Sequence, residues 1–256
     1  MAKYFIYPNA NLYSVEPAGG EQSSSTTNFA TNTDPTNESR LTDQSISYAA
    51  GFPANFDAVR FDLGSSGNAI DSIAVYANGS DTDDLNFYGS DNSGTGVFDS
   101  FISGSGFSDT FNAGWTVKAA ALSNSTRYVY MRSGGELNIF TEVILGKKLD
   151  LTNVTLSGQE GVNYGNKLLS SEGGNEFSYQ RHGGKKFWDF SLNHVSSTYK
   201  TSLEAMRDAV DGAHYKFLYY DGSAYNYVRM SSDSLRFKEI AVGVFNTKIK
   251  LSEQLT

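Results

Sequence analysis

The three histidines of this 256-residue chain, His182, His194 and His214, are the side chains best suited to proton transfer or metal binding. None has a second histidine or an acid at the spacing that sets two ligands on one helix face. His194 falls in register with Trp188, Phe190 and Leu192, so it is expected to be a partly buried strand residue rather than a ligand. There is no cysteine, hence no disulfide, thiolate zinc site or cysteine nucleophile. No Gly-x-Ser-x-Gly elbow and no phosphate loop ending in Gly-Lys-Ser/Thr is present. Gly94-Thr95-Gly96 and Gly104-Ser105-Gly106 precede strand patterns, so they read as tight turns and not as phosphate cradles. Asp81, Asp83 and Asp84 place oxygen ligands close together, as a Ca2+ loop does. However, no Gly stands at the sixth position and no Glu at the twelfth, which leaves a solvated acidic loop as the expectation. Asp62 reads as a strand-end residue, and no carboxylate pair for glycoside hydrolysis can be assigned. Trp115 alternates with Val117 and Ala119 and is expected in the core rather than as a sugar-stacking platform. Lys185 and Lys186 follow two glycines and read as a solvated turn, not a nucleic-acid patch. The sequence assigns no catalytic residue, no metal ligand and no cofactor, and it leaves ligand-binding residues open. The expectation is a protein that is not an enzyme.

Composition narrows the class. Apolar residues make up 39% and aromatics 14%, too many for a disordered chain. No apolar run reaches the length of a membrane span, and Met1–Pro8 lacks the pattern of a secretory signal. The sequons at Asn37, Asn78, Asn124 and Asn153 are accordingly expected to stay unmodified, in a chain that folds in a cytoplasm. The net charge of −8 argues against polyanion binding by the chain as a whole. The charge is divided unevenly. Residues 1–150 hold 8 Lys/Arg against 17 Asp/Glu, whereas residues 151–256 hold 12 against 11. All four prolines, Pro8, Pro17, Pro35 and Pro53, lie in the first part. The asymmetry predicts two modules, 1–150 and 151–256.

The elements that would position any site are mainly strands. Residues 9–45 are rich in Ser, Thr and Asn, which favour turns, and read as irregular. A period of two then sets in: Val59, Phe61 and Leu63 share one face, as do Ile73, Val75 and Ala77. Further strands are predicted over Leu85–Tyr88, Val97–Ile102, Trp115–Ala121, Arg127–Arg132 and Leu137–Leu145. Turn clusters such as Gly64–Asn68 separate them, the pattern of a β-sandwich. In order, Phe61-Asp62-Leu63-Gly64, Ile70–Tyr76, Leu85–Asp91, Arg127–Arg132 and Glu142–Gly146 resemble a discoidin-like, galactose-binding-like β-sandwich over about residues 40–150. That resemblance implies ligand-facing loops, and in some relatives a structural calcium.

Beyond residue 150, Leu149–Leu156 and Phe187–Leu192 read as strands on either side of a Gly-rich loop from Ser157 through Gly174. One helix is predicted between Thr198 and Asp211, because Tyr199, Leu203, Met206 and Val210 form a single apolar stripe. Thr201 with Glu204 has capping-box spacing, Ser197 is an earlier possible start, and Gly212 is the expected C′ residue. Strands follow over Tyr215–Tyr220, Tyr225–Met230, Leu235–Ile240 and Val244–Leu251, with a hairpin turn at Asp221-Gly222. The predicted fold is thus mainly β: two β-sandwich domains, the second with one flanking α-helix at about 198–211. The helix after a Trp-containing strand, the aromatic hairpin strand Tyr225–Met230 and the Lys/apolar alternation of Val244–Leu251 resemble tail proteins of tailed bacteriophages.

That resemblance implies a structural virion protein, assembled in the host cytoplasm into a tail or baseplate ring near the distal tail. Its implied partners are copies of itself, through strand edges and the aromatic faces of Tyr215–Met230, and other tail proteins such as tube, hub or fibres. A host-surface glycan is a further implied ligand of the first module. No membrane span and no specific nucleic-acid binding are expected. The competing expectation is a carbohydrate-binding adhesion module without a ring-building role.

Overall fold

A computed structural model describes residues 3–8, 14–17, 58–63, 70–80, 85–90, 100–101, 113–119, 127–133, 139–151, 155–170, 172, 176–180 and 182–254. The acidic loop Asp81–Asp84, the two Gly-x-Gly turns and the sequons other than Asn78 lie outside them. The fold is mainly β, with large antiparallel sheets consistent with β-sandwich domains and, among the described residues, a single helix. No described helix is long and apolar enough to cross a membrane. The chain divides into two compact units between Lys148 and Leu149, and residues 3–5 belong with the second unit.

The strands of the N-terminal part are β1 (Tyr4–Pro8), β2 (Ser14–Pro17), β3 (Ala58–Asp62), β4 (Ser72–Ala77), β5 (Leu85–Ser90), β6 (Ser100–Phe101), β7 (Gly114–Ala119), β8 (Tyr128–Ser133) and β9 (Phe140–Asp150). Within the first unit one sheet runs β2-β3-β8-β5-β6, and a second layer runs β9-β4-β7. Alternation explains the core between them. Val59 and Phe61 of β3, Leu85 and Phe87 of β5, and Val129 and Met131 of β8 share a buried cluster with Ile73, Val75, Val143 and Leu145 of the other layer. Each such side chain contributes about 1.5–3 kcal/mol on burial. Ser14–Pro17, expected to be irregular, is instead a strand paired with β3 from Ser14↔Asp62 to Pro17↔Val59. A four-residue strand in a Ser-rich stretch has no period long enough to read.

The C-terminal unit contains β10 (Thr155–Asn163), β11 (Asn166–Ser170), β12 (Glu176–Gln180), β13 (Lys185–Ser196), α1 (Ser197–Ala209), β14 (Phe217–Tyr220), β15 (Tyr225–Met230), β16 (Phe237–Ala241) and β17 (Val244–Glu253). Its sheet order is β10-β13-β17-β15-β14, with β16 also paired to β17. Trp188, Phe190 and Leu192 point to the buried face, with Ile249 and Leu251 of β17 beside them. Helix α1 packs on β13 and β17; of the predicted stripe it buries Leu203 and Met206, Val210 is buried at its C-cap, and Tyr199 is half-buried. Its N-cap is Ser196, whose hydroxyl accepts from the Tyr199 N–H at 3.2 Å. Thr201 is therefore inside the helix, bonding the Ser197 carbonyl at 3.2 Å, and the Thr201–Glu204 capping box does not form. At the other end Asp211 (φ 47°), not Gly212, is C′. Gly212 N–H reaches the Arg207 carbonyl at 2.9 Å and Asp211 N–H the Asp208 carbonyl at 3.2 Å, the two bonds of a Schellman ending. Gly212 (φ 62°) is required for a different reason: a Cβ there would stand 2.9 Å from the Asp233 backbone.

Candidate assembly surface

From Gly158 to Phe187 no described side chain is buried. This segment was expected to contain a Gly-rich loop from Ser157 through Gly174. Instead it forms the far half of the β10–β13 hairpin, whose register runs from Thr155↔Asn193 to Asn163↔Lys185, followed by the two-stranded ribbon β11–β12. Glycine did not make it a loop because the opposite strand supplies the missing cover. Gly161 lies opposite Phe187, whose ring would stand 2.7 Å from a Cβ at Gly161. Lys185 and Lys186 open strand β13 rather than forming a turn, and the Lys186 N–H donates to Glu253 Oε2 at 2.8 Å.

The arm carries exposed apolar side chains that a solvated hairpin does not need. Val162 is 48% exposed, Tyr164 56%, Leu169 44%, Tyr179 46% and Phe187 39%. Among the described residues β11 and β12 form a two-stranded sheet of their own, the kind of short ribbon whose edges accept a further strand. A two-stranded ribbon is marginal in water by itself. A second apolar projection is the β16–β17 turn, where Val242 is 99% exposed and Ile240 44%.

Among the described residues, those singled out in the sequence do not converge on a reaction centre. His194 is exposed with φ 61°, because the register shifts between Leu192 and Val195 and hands the buried position to Val195. Its N–H donates to Asn246 Oδ1 at 3.1 Å. His182 contacts the Gly183 carbonyl through Nδ1 at 2.6 Å, and His214 is exposed with its ring 4.5 Å from that of Tyr215. Asp62 ends β3 in a two-point bond with Arg127, at 2.9 Å to Nε and 2.8 Å to Nη2, as the strand-end reading expects. Trp115 is half-buried on β7 and not in the core, its ring 5.2 Å from that of Tyr76. Among the described residues no group of three His, Cys, Asp or Glu could hold a metal ion.

The aromatic faces expected to meet other subunits are largely used inside the unit. Phe217, Tyr219, Tyr227 and Met230 are buried. Tyr219 packs on Trp188 at 5.4 Å and Phe190 at 5.2 Å, and burial, with the charges of Asp221 and Glu160, holds its phenol well above the usual range. What replaces them as an exposed surface is the arm, and the sequence signal for it was its Tyr/Phe/Leu content within a glycine-rich frame. No protein-family model and no curated protein matches this chain.

Proposed function

We propose that this chain is a structural subunit of a tailed-phage tail, a ring or baseplate component near the distal end, which assembles with copies of itself through the 158–187 arm. The supporting observation is that arm: a ribbon that, among the described residues, forms a two-stranded sheet of its own, with five exposed apolar side chains along the arm. In an assembly the arm of one copy lies on the next. Strand addition then extends the ribbon ladder, while Leu169, Tyr179 and Phe187 leave water. A head-to-tail contact of this kind closes into a ring when its rotation divides the circle. Function is then assembly and not turnover, and the neighbours of the ring are other tail proteins.

Light scattering during gel filtration, with negative-stain micrographs of the same fractions, tests the reading. A discrete ring-sized oligomer is expected, and the double variant Leu169→Asp/Tyr179→Asp is expected to elute as a folded monomer. A wild-type chain that stays monomeric at high concentration overturns ring building. Absence of the chain from purified virions by mass spectrometry overturns the tail assignment.

A further inference from the structure

On the outward face of the C-terminal sheet lies a groove of about 560 Å³, within the usual size of a ligand site. Four cations line it: Lys248 and Lys250 of β17, Lys238 of β16, and Arg236 just before β16. The strand geometry sets them there. Thr247, Ile249 and Leu251 point inward, so Lys248 and Lys250 must point out. The antiparallel register Phe237↔Thr247 and Lys238↔Asn246 then carries Arg236 to the level of Lys248. Only Lys250 is neutralised, by Asp189 at 2.8 Å. Among the described residues Arg236, Lys238 and Lys248 have no ion pair, and no carboxylate lines the groove. In a chain of net charge −8 this is a local concentration of one sign in a concave site, which focuses its field on an anion.

The rest of the lining says what kind of anion. Ser191, Asn193, Ser232, Ser234 and Asn246 supply hydroxyls and amides. Asn246 Oδ1 accepts from the His194 N–H, which leaves its NH2 to donate. No aromatic side chain lines the groove, so it lacks the stacking platforms on which single-stranded nucleic acids depend. We infer that this groove binds an anionic oligosaccharide, its carboxylate or sulfate groups held by Arg236, Lys238 and Lys248 and its hydroxyls by the serine and asparagine side chains. The site lies on the C-terminal module and does not depend on self-assembly.

Calorimetric titration of the full chain tests this with four probes: hexagalacturonate, a heparin-derived hexasaccharide, maltohexaose and hexathymidylate. Binding of at least one of the two charged saccharides is expected; the stronger of the two identifies the anionic group. It should weaken about tenfold as salt rises from low to half-molar concentration. Lys238→Gln/Lys248→Gln, both exposed and outside the core, should weaken it about tenfold as well. Asp189→Asn releases Lys250 and should tighten binding about two- to fivefold, a gain that a folding defect does not produce. Equal binding of maltohexaose, hexathymidylate as tight as the saccharides, no binding of either charged saccharide, or indifference to the lysine variants would each overturn the inference.

Discussion

Asp221 accepts from the Ser223 N–H at 2.8 Å, the Ser223 hydroxyl at 2.7 Å and the Ala224 N–H at 2.9 Å, closing the four-residue loop between β14 and β15. Burial alone would raise its carboxyl, but these donors and the Asn226 amide outweigh it and hold the group at about 2, below the ordinary 3.8. A depressed carboxyl stabilises the fold above its ordinary titration range and loses that contribution as pH falls toward 2. Urea unfolding of Asp221→Asn should therefore show a deficit of about 1 kcal/mol at pH 7, allowing for solvent screening at a partly exposed site. That deficit should shrink between pH 4 and pH 2; a constant one would exclude the charge as its origin. The dipeptide Asp221-Gly222 announced this turn because turn chemistry is local. His194 and Gly161 were misread for the opposite reason. A register shift moved one, and an aromatic ring on the neighbouring strand covers the other; neither is visible along a single segment.

At the scale of elements, α1 and most strands could be read because a period of 3.6 or 2 is written within a few residues. Its cap was harder to place, since Thr201-x-x-Glu204 and Ser197 both offer a start and the choice depends on where β13 ends. The Ser196 hydroxyl holds an otherwise orphan N–H, so Ser196→Ala should cost about 1 kcal/mol. Thr201→Ala, inside the helix, should change thermal unfolding much less. Equal losses for the two would move the cap back to Thr201. Strand β10 was hidden by its glycines, Gly158 and Gly161, because an edge strand tolerates small residues that a solvent-facing loop also favours.

For the whole molecule, residue charge counts placed a division at 150 and the compact units separate between Lys148 and Leu149, yet that division assigns Tyr4 and Phe5 to the first module, whereas they belong with the second unit. Phe5 is fully buried in the C-terminal unit, its ring 5.5 Å from Phe217 and 5.7 Å from Tyr219. Phe5→Ala should cost about 3–5 kcal/mol. Hydrogen exchange should show the loss first in β14 and β15; protection unchanged there would contradict the packing.

The Tyr4 hydroxyl meets that of Tyr225 at 2.7 Å across 221 positions of sequence. A growing chain therefore makes one half of this contact long before the other. At ribosomal speeds of about 5–20 residues per second, Tyr4 waits on the order of ten to forty seconds for its partner. Completion of the C-terminal unit is thus tied to the end of synthesis: β1 can pair with β9 early, but the Tyr4–Tyr225 contact forms only after β15 has been made.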